Sequence, residues 1–216
     1  MCKEITVAAL DTLRALVGEK MSEYRFAHTR GVEQAVGELC ALYLPEAAPQ
    51  LRAAALLHDI TKEWPREQAA AYIEAHGIAL RPDEAASPKI WHGITAPLVI
   101  ADEFSAFATP TVLSAVRWHT TGRSGMTLTE ALLYLADYME PTRTFADCVA
   151  LRQAFFEAEP EKMDMAARLR HLWRVLLLSF DDTLAALAAE GAPVCADTLA
   201  AREYAAKMIS RKEAEV

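Results

Sequence analysis

Apolar positions recur along most of the chain at three- and four-residue intervals, the spacing of one buried helix face, and alternating strand-like runs are scarce. A first helix is predicted over residues 5–19, with Ile5, Ala8, Ala9, Leu13, Leu16 and Val17 on one side. Ser22 is the expected N-cap of a second, carrying Phe26, His28, Val32, Ala35, Val36, Leu39, Leu42 and Tyr43. His28, Val32, Ala35 and Leu39 share a face at helical spacing, which places an imidazole on the apolar side. Pro45 and Pro49 mark the turn into a helix ending at His58-Asp59. Pro65 opens a short helix through about Ala75, Gly77 takes the C′ position, and residues 77–87 read as a loop.

Ser87-Pro88 has the N-cap and N1 signature of a helix carrying His92, and Thr109-Pro110 repeats it for a helix ending on Trp118-His119. Thr127-x-x-Glu130 is a capping box opening Leu128 to Met139, stopped by Pro141. Three further helices are expected near 145–157, 161–190 and 197–210, followed by a frayed tail at 211–216. The fold class is therefore all-α. The chain reads as a single domain, 1–216, with a core about 20–150 and a C-terminal helical extension about 151–216.

Composition supports the helical reading: 53% of the 216 residues are hydrophobic and only 8 are glycine. A net charge of −8 argues against a nucleic-acid surface, which needs a basic stripe. Cys2, Cys40, Cys148 and Cys195 form no C-x-x-C pair and read as free thiols of a reducing cytoplasm. The start, Met1-Cys-Lys-Glu-Ile5, has charges at its third and fourth residues and no apolar signal region. No apolar run approaches membrane-span length, so no membrane partner is expected.

The apolar run Ala53 to Leu57 leads directly into His58 and Asp59. A buried carboxylate is costly unless it is paired or binds a metal. A lone histidine on such a face is more often a hydrogen-bonded core residue than a ligand, so the question is whether more ligands exist. His28, His92, His119 and Asp137 each stand on or at the end of a separate predicted helix, and Asp137 interrupts a run that is apolar on nearly every side. His76 and His171 read as a helix-end residue and a surface or packing residue. Imidazole and carboxylate ligands suit Fe, Mn, Co, Ni or Zn rather than calcium. Four ligands close one site, whereas six, with Asp59 using both oxygens, suffice for two bridged metals.

The order H…HD…H…H…D in an all-helical chain resembles the HD phosphohydrolase superfamily, a helical bundle with a metal site between its helices. The flanks Arg25-Phe-Ala-His-Thr-Arg-Gly-Val32, Leu56-Leu-His-Asp-Ile-Thr-Lys62, His119-Thr-Thr-Gly122 with Met126, and Ala136-Asp-Tyr-Met-Glu-Pro-Thr-Arg-Thr-Phe145 are similar to the bacterial YqeK-type symmetrical diadenosine tetraphosphate hydrolases. The resemblance spans roughly residues 20–185 and implies a di-iron site. His28, His58, Asp59 and Asp137 would hold one metal, and Asp59 would bridge to a second completed by His92 and His119. It also implies cleavage of a dinucleoside tetraphosphate in the middle by a metal-bridging hydroxide, giving two nucleoside diphosphates.

Such a polyanion needs a locally positive mouth on an acidic protein. Lys62, Arg123 and Arg143, each within seven residues of a ligand, are the candidates, with Lys62 counted beside Asp59 as catalytic. Thr121, Tyr138 and Glu140 are expected to touch the nucleoside or steady the ligands. The competing readings are the same site acting on a nucleoside monophosphate or signalling nucleotide, and a non-catalytic metal-binding helical module. The glycine-tyrosine-proline signature of cyclic-diguanylate hydrolases is absent. A monomer or a homodimer is expected.

Overall fold

The computed structural model describes residues 5–210; residues 1–4, with Cys2 and most of the start, and the predicted frayed tail at 211–216 lie outside them. Local chemistry sets most helix boundaries. Thr6 caps α1 (Val7–Gly18) and Ser22 caps α2 (Glu23–Tyr43), each side-chain oxygen accepting from the third backbone N–H beyond it. A 3₁₀ turn at Pro45–Ala47 then leads into α3 (Ala48–Leu57), and α4 (Arg66–Ala75) follows Pro65. Gly77 is left-handed beyond α4, the conformation that a C′ glycine adopts without a Cβ penalty.

Two predicted boundaries are corrected. Within the predicted loop 77–87 lies a short helix, α5 (Pro82–Ala85), closed by the Glu84 carboxylate accepting from Arg81 N–H. Ser87 caps no helix carrying His92: its side chain makes no capping bond, and Pro88–Ile90 forms one 3₁₀ turn. Trp91 Nε1 then donates to Glu84 O at 2.8 Å, anchoring that turn, so His92 becomes the first residue of α6 (His92–Glu103).

Thr109 caps α7 (Pro110–Trp118) and the Thr127–Glu130 capping box opens α8 (Leu128–Met139), as predicted. The remaining helices are α9 (Ala146–Glu157), α10 (Met165–Glu190), which ends on left-handed Gly191, and α11 (Ala196–Ser210). No strand occurs among the described residues, and the fold is all-α.

α3 is the centre of the bundle. It packs against α1, α2, α7 and α8, and α10 closes over α8, α9 and α11. Leu51, Leu56 and Leu57 of α3 are fully buried, each contributing about 1.5–3 kcal/mol by removal from water. One contiguous apolar core runs from Ile5 to Ala205. His171 belongs to the packing side of its predicted alternatives: it is buried, and its Nε2 lies 2.9 Å from Phe155 O. Because α2, α7 and α8 pack on α3 and α6 packs on α7, residues at those helix faces and ends share one neighbourhood.

Candidate active site

The ends of α3 and α7 solve the same local problem in the same way. A helix C-terminus leaves carbonyls without intrahelical partners. His58 Nδ1 donates to Ala55 O and His119 Nδ1 to Val116 O, both at 2.6 Å. Each bond fixes the ring and leaves Nε2 as the lone-pair nitrogen. On α2, His28 Nδ1 donates to Glu140 Oε1 at 3.1 Å. That approach requires Gly31, because a Cβ there would collide with the Glu140 carboxylate.

The freed nitrogens converge on Asp59. Its Oδ2 lies 3.7 Å from His28 Nε2 and 3.5 Å from His58 Nε2; its Oδ1 lies 3.4 Å from His92 Nε2 and 3.7 Å from His119 Nε2. Asp137 Oδ1 stands 3.0 Å from His28 Nε2 and 3.8 Å from His58 Nε2. One carboxylate thus faces two histidine pairs, one from each oxygen. His28 Nε2 and His58 Nε2 are buried and make no hydrogen bond. Orphaned buried nitrogens beside carboxylates are the donor set a metal requires, so the residues fit metal ions.

Electrostatics agree. Burial works against the Asp59 and Asp137 carboxylates, yet His58 foremost for Asp59, and Arg143 foremost for Asp137, hold them well below the usual range. Burial lowers His92, helped by Lys62, and lowers His119, keeping these rings neutral as ligation requires. Burial also opposes protonation of His28, but the Asp137 and Glu140 carboxylates outweigh it and raise the ring to about 9. The centre draws positive charge.

A cavity of about 460 Å³ opens over Asp59 and Asp137. Lys62 reaches it through consecutive turns after α3, its N–H donating to Asp59 O, and its Nζ stands 3.1 Å from His92 Nε2. Burial lowers the Lys62 ammonium first among its influences. Arg143 donates to Asp137 Oδ1 and Asp137 O, both at 2.7 Å, and lines the same cavity, as does Glu140.

Three of the residues expected to contact substrate are not among those that line this cavity. Arg123 does not line the cavity: its guanidinium grips the fully buried Glu130 of the α8 capping box through Nε and Nη2 at 3.0 Å. Thr121 is buried, with its hydroxyl on Gly122 O, and Tyr138 donates to Asp147.

Sequence reasoning missed two neighbours of the site. Arg25 Nη1 donates to Asp59 Oδ2 at 2.7 Å and lines the cavity. Its signal was its place one turn before His28 on α2. Thr120 Oγ1 lies 3.0 Å from His92 Nε2 and 3.1 Å from His119 Nε2, and its adjacency to His119 was the only hint.

A helical bundle with a paired His/Asp centre at the end of its central helix is the architecture of an HD domain. The HD domain family model matches residues 25–142, and the chain belongs to that family. HD domains hold divalent metal, and the two His/Asp clusters suit that role.

Among its relatives, the chain is 29% identical over 184 residues to the symmetrical bis(5'-nucleosyl)-tetraphosphatase of Bacillus subtilis (strain 168), covering 85% of this chain and 90% of that protein. It is 29% identical over 191 residues to the protein of the same name from Halalkalibacterium halodurans, covering 86% and 90%. A crystal structure of a predicted HD superfamily hydrolase involved in NAD metabolism from Clostridium acetobutylicum superposes with a TM-score of 0.78 at 29% identity, covering 94% of this chain and 97% of that one.

Proposed function

We propose that the protein hydrolyses dinucleoside polyphosphates symmetrically, converting diadenosine tetraphosphate and water to two ADP. The observation that carries this reading is the single carboxylate, Asp59, set between two histidine pairs at a cavity that Arg25, Lys62 and Arg143 line. The names of the relatives support the substrate class.

His28, His58, Asp59 and Asp137 would hold one metal, and Asp59, His92 and His119 a second. Iron is our assignment, with Mn, Co or Ni compatible with the same ligands. Such ions, when bound, supply a nucleophile at neutral pH and neutralise phosphoryl charge. Lys62, Arg143 and Arg25 bind the phosphates flanking the cut, Arg143 in a bidentate grip. They set the register so that the scissile phosphorus is the second from the bound nucleoside, and the distal half leaves as a second diphosphate. The buried free thiols Cys40, Cys148 and Cys195 support a cytoplasmic setting.

Product analysis in heavy-oxygen water tests the cut. Diadenosine tetraphosphate is expected to give ADP alone, with the label in ADP. AMP and ATP as primary products would overturn the symmetrical assignment.

A further inference from the structure

The two most exposed aromatic side chains among the described residues stand at the same cavity. Tyr24 is 72% exposed and Phe145 60% exposed, and both line the space above Asp59 and Asp137. They come from unrelated segments: Tyr24 from the first turn of α2, Phe145 from the residue before α9. Neither ring is explained by its own element. Phe145 occupies an N-cap position, where a side-chain oxygen is favoured, and makes no capping bond. Tyr24 faces water beside Arg25, whose guanidinium carbon lies 5.8 Å from its ring centre.

The cavity is graded from charge to ring. Arg25, Lys62 and Arg143 stand at the carboxylates, and the aromatic residues stand at the rim. Arg25 spans the two regions, because its Nη1 also lies 2.7 Å from Asp59 Oδ2. The Tyr24 ring is therefore within about 10 Å of the carboxylate that faces both histidine pairs. That is the reach from the base of a nucleotide to its terminal phosphate.

We propose that Tyr24 and Phe145 form the nucleobase subsite, holding the base by stacking while the cations hold its diphosphate. The proposal rests on the reading of the site as a nucleotide hydrolase. Every base has a π-face, so stacking is tolerant of base identity. No Asn or Gln, the side chains that read an adenine edge, lines the cavity among the described residues. Purine nucleoside diphosphates are thus expected to bind alike.

The test titrates ADP, GDP and inorganic pyrophosphate into the metal-loaded full chain, as wild type, Tyr24→Phe and the double variant Tyr24→Ala/Phe145→Ala. Loss of both rings is expected to weaken ADP and GDP by about 5- to 150-fold, the worth of base stacking on an aromatic side chain. Pyrophosphate is expected to bind unchanged, and Tyr24→Phe to bind ADP as wild type does. Unchanged ADP affinity in the double variant overturns the subsite, as does a parallel loss of ADP and pyrophosphate. If wild type binds ADP through these rings but releases none from diadenosine tetraphosphate, the subsite stands and the proposed reaction falls.

Discussion

Glu140 is almost fully buried and touches His28 only because Gly31, one turn along α2 from His28, has no Cβ. Its carboxylate also accepts from Thr142 N–H and hydroxyl, both at 2.7 Å, so it is itself held from two sides. A carboxylate that fixes a ligating ring tunes a metal site without touching the metal. Gly31→Ala and Glu140→Gln should each lower metal affinity by about 10- to 100-fold, measured by competition against a chelator. Wild-type affinity in both variants would mean that the His28 ring is held by other contacts.

At the scale of elements, two arginines that look equivalent in sequence have different employment. Arg143 projects from the turn after α8 onto Asp137 at the cavity, whereas Arg123 is absorbed into the start of α8 through Glu130. Glu130 accepts from Thr127 N–H, Ser114 Oγ and Arg123 while fully buried, so removing Arg123 leaves a buried charge short of partners. Arg123→Ala should cost about 1.5–3 kcal/mol in denaturant unfolding and leave KM unchanged. Arg143→Ala should weaken substrate binding by a comparable free energy and leave metal content intact. A raised KM with full stability for Arg123→Ala would restore it to the substrate site.

The same contrast marks what could be read from sequence. Helix starts were legible where a capping side chain announces them, as at Ser22, Thr109 and Thr127. Ser87-Pro88 carries that signature too, but the bond of Trp91 to Glu84 O, made across an unpredicted short helix, turns the chain into a 3₁₀ turn instead. The convergence of His28, His58, Asp59, His92, His119 and Asp137 was legible because polar residues interrupting apolar helix faces stand out. Arg25, Thr120, Tyr24 and Phe145 were not, since their significance lies in which cavity they face, and residue spacing carries that only weakly.

For the whole molecule, a net charge of −8 and the proposed polyanionic substrate are reconciled by position rather than by total. Arg25, Lys62 and Arg143 collect at one cavity, beside the carboxylates of Asp59, Asp137 and Glu140. No described helix is long and apolar enough to cross a membrane. The core that runs from α1 to α11 holds α3 against α2, α7 and α8, with α6 against α7, and residues between His28 and Asp137 meet there because of it.

At that meeting point the proposal is that one carboxylate, Asp59, would hold two metal ions together. Elemental analysis of the purified protein, wild type beside Asp59→Asn, addresses it most directly. Asparagine keeps the shape and removes the charge that two cations share. Two metal ions per chain are expected in wild type, with loss of metal and at least about 10³-fold of the rate in Asp59→Asn. A single metal per chain in wild type, or a full pair with near-normal turnover in Asp59→Asn, would contradict it.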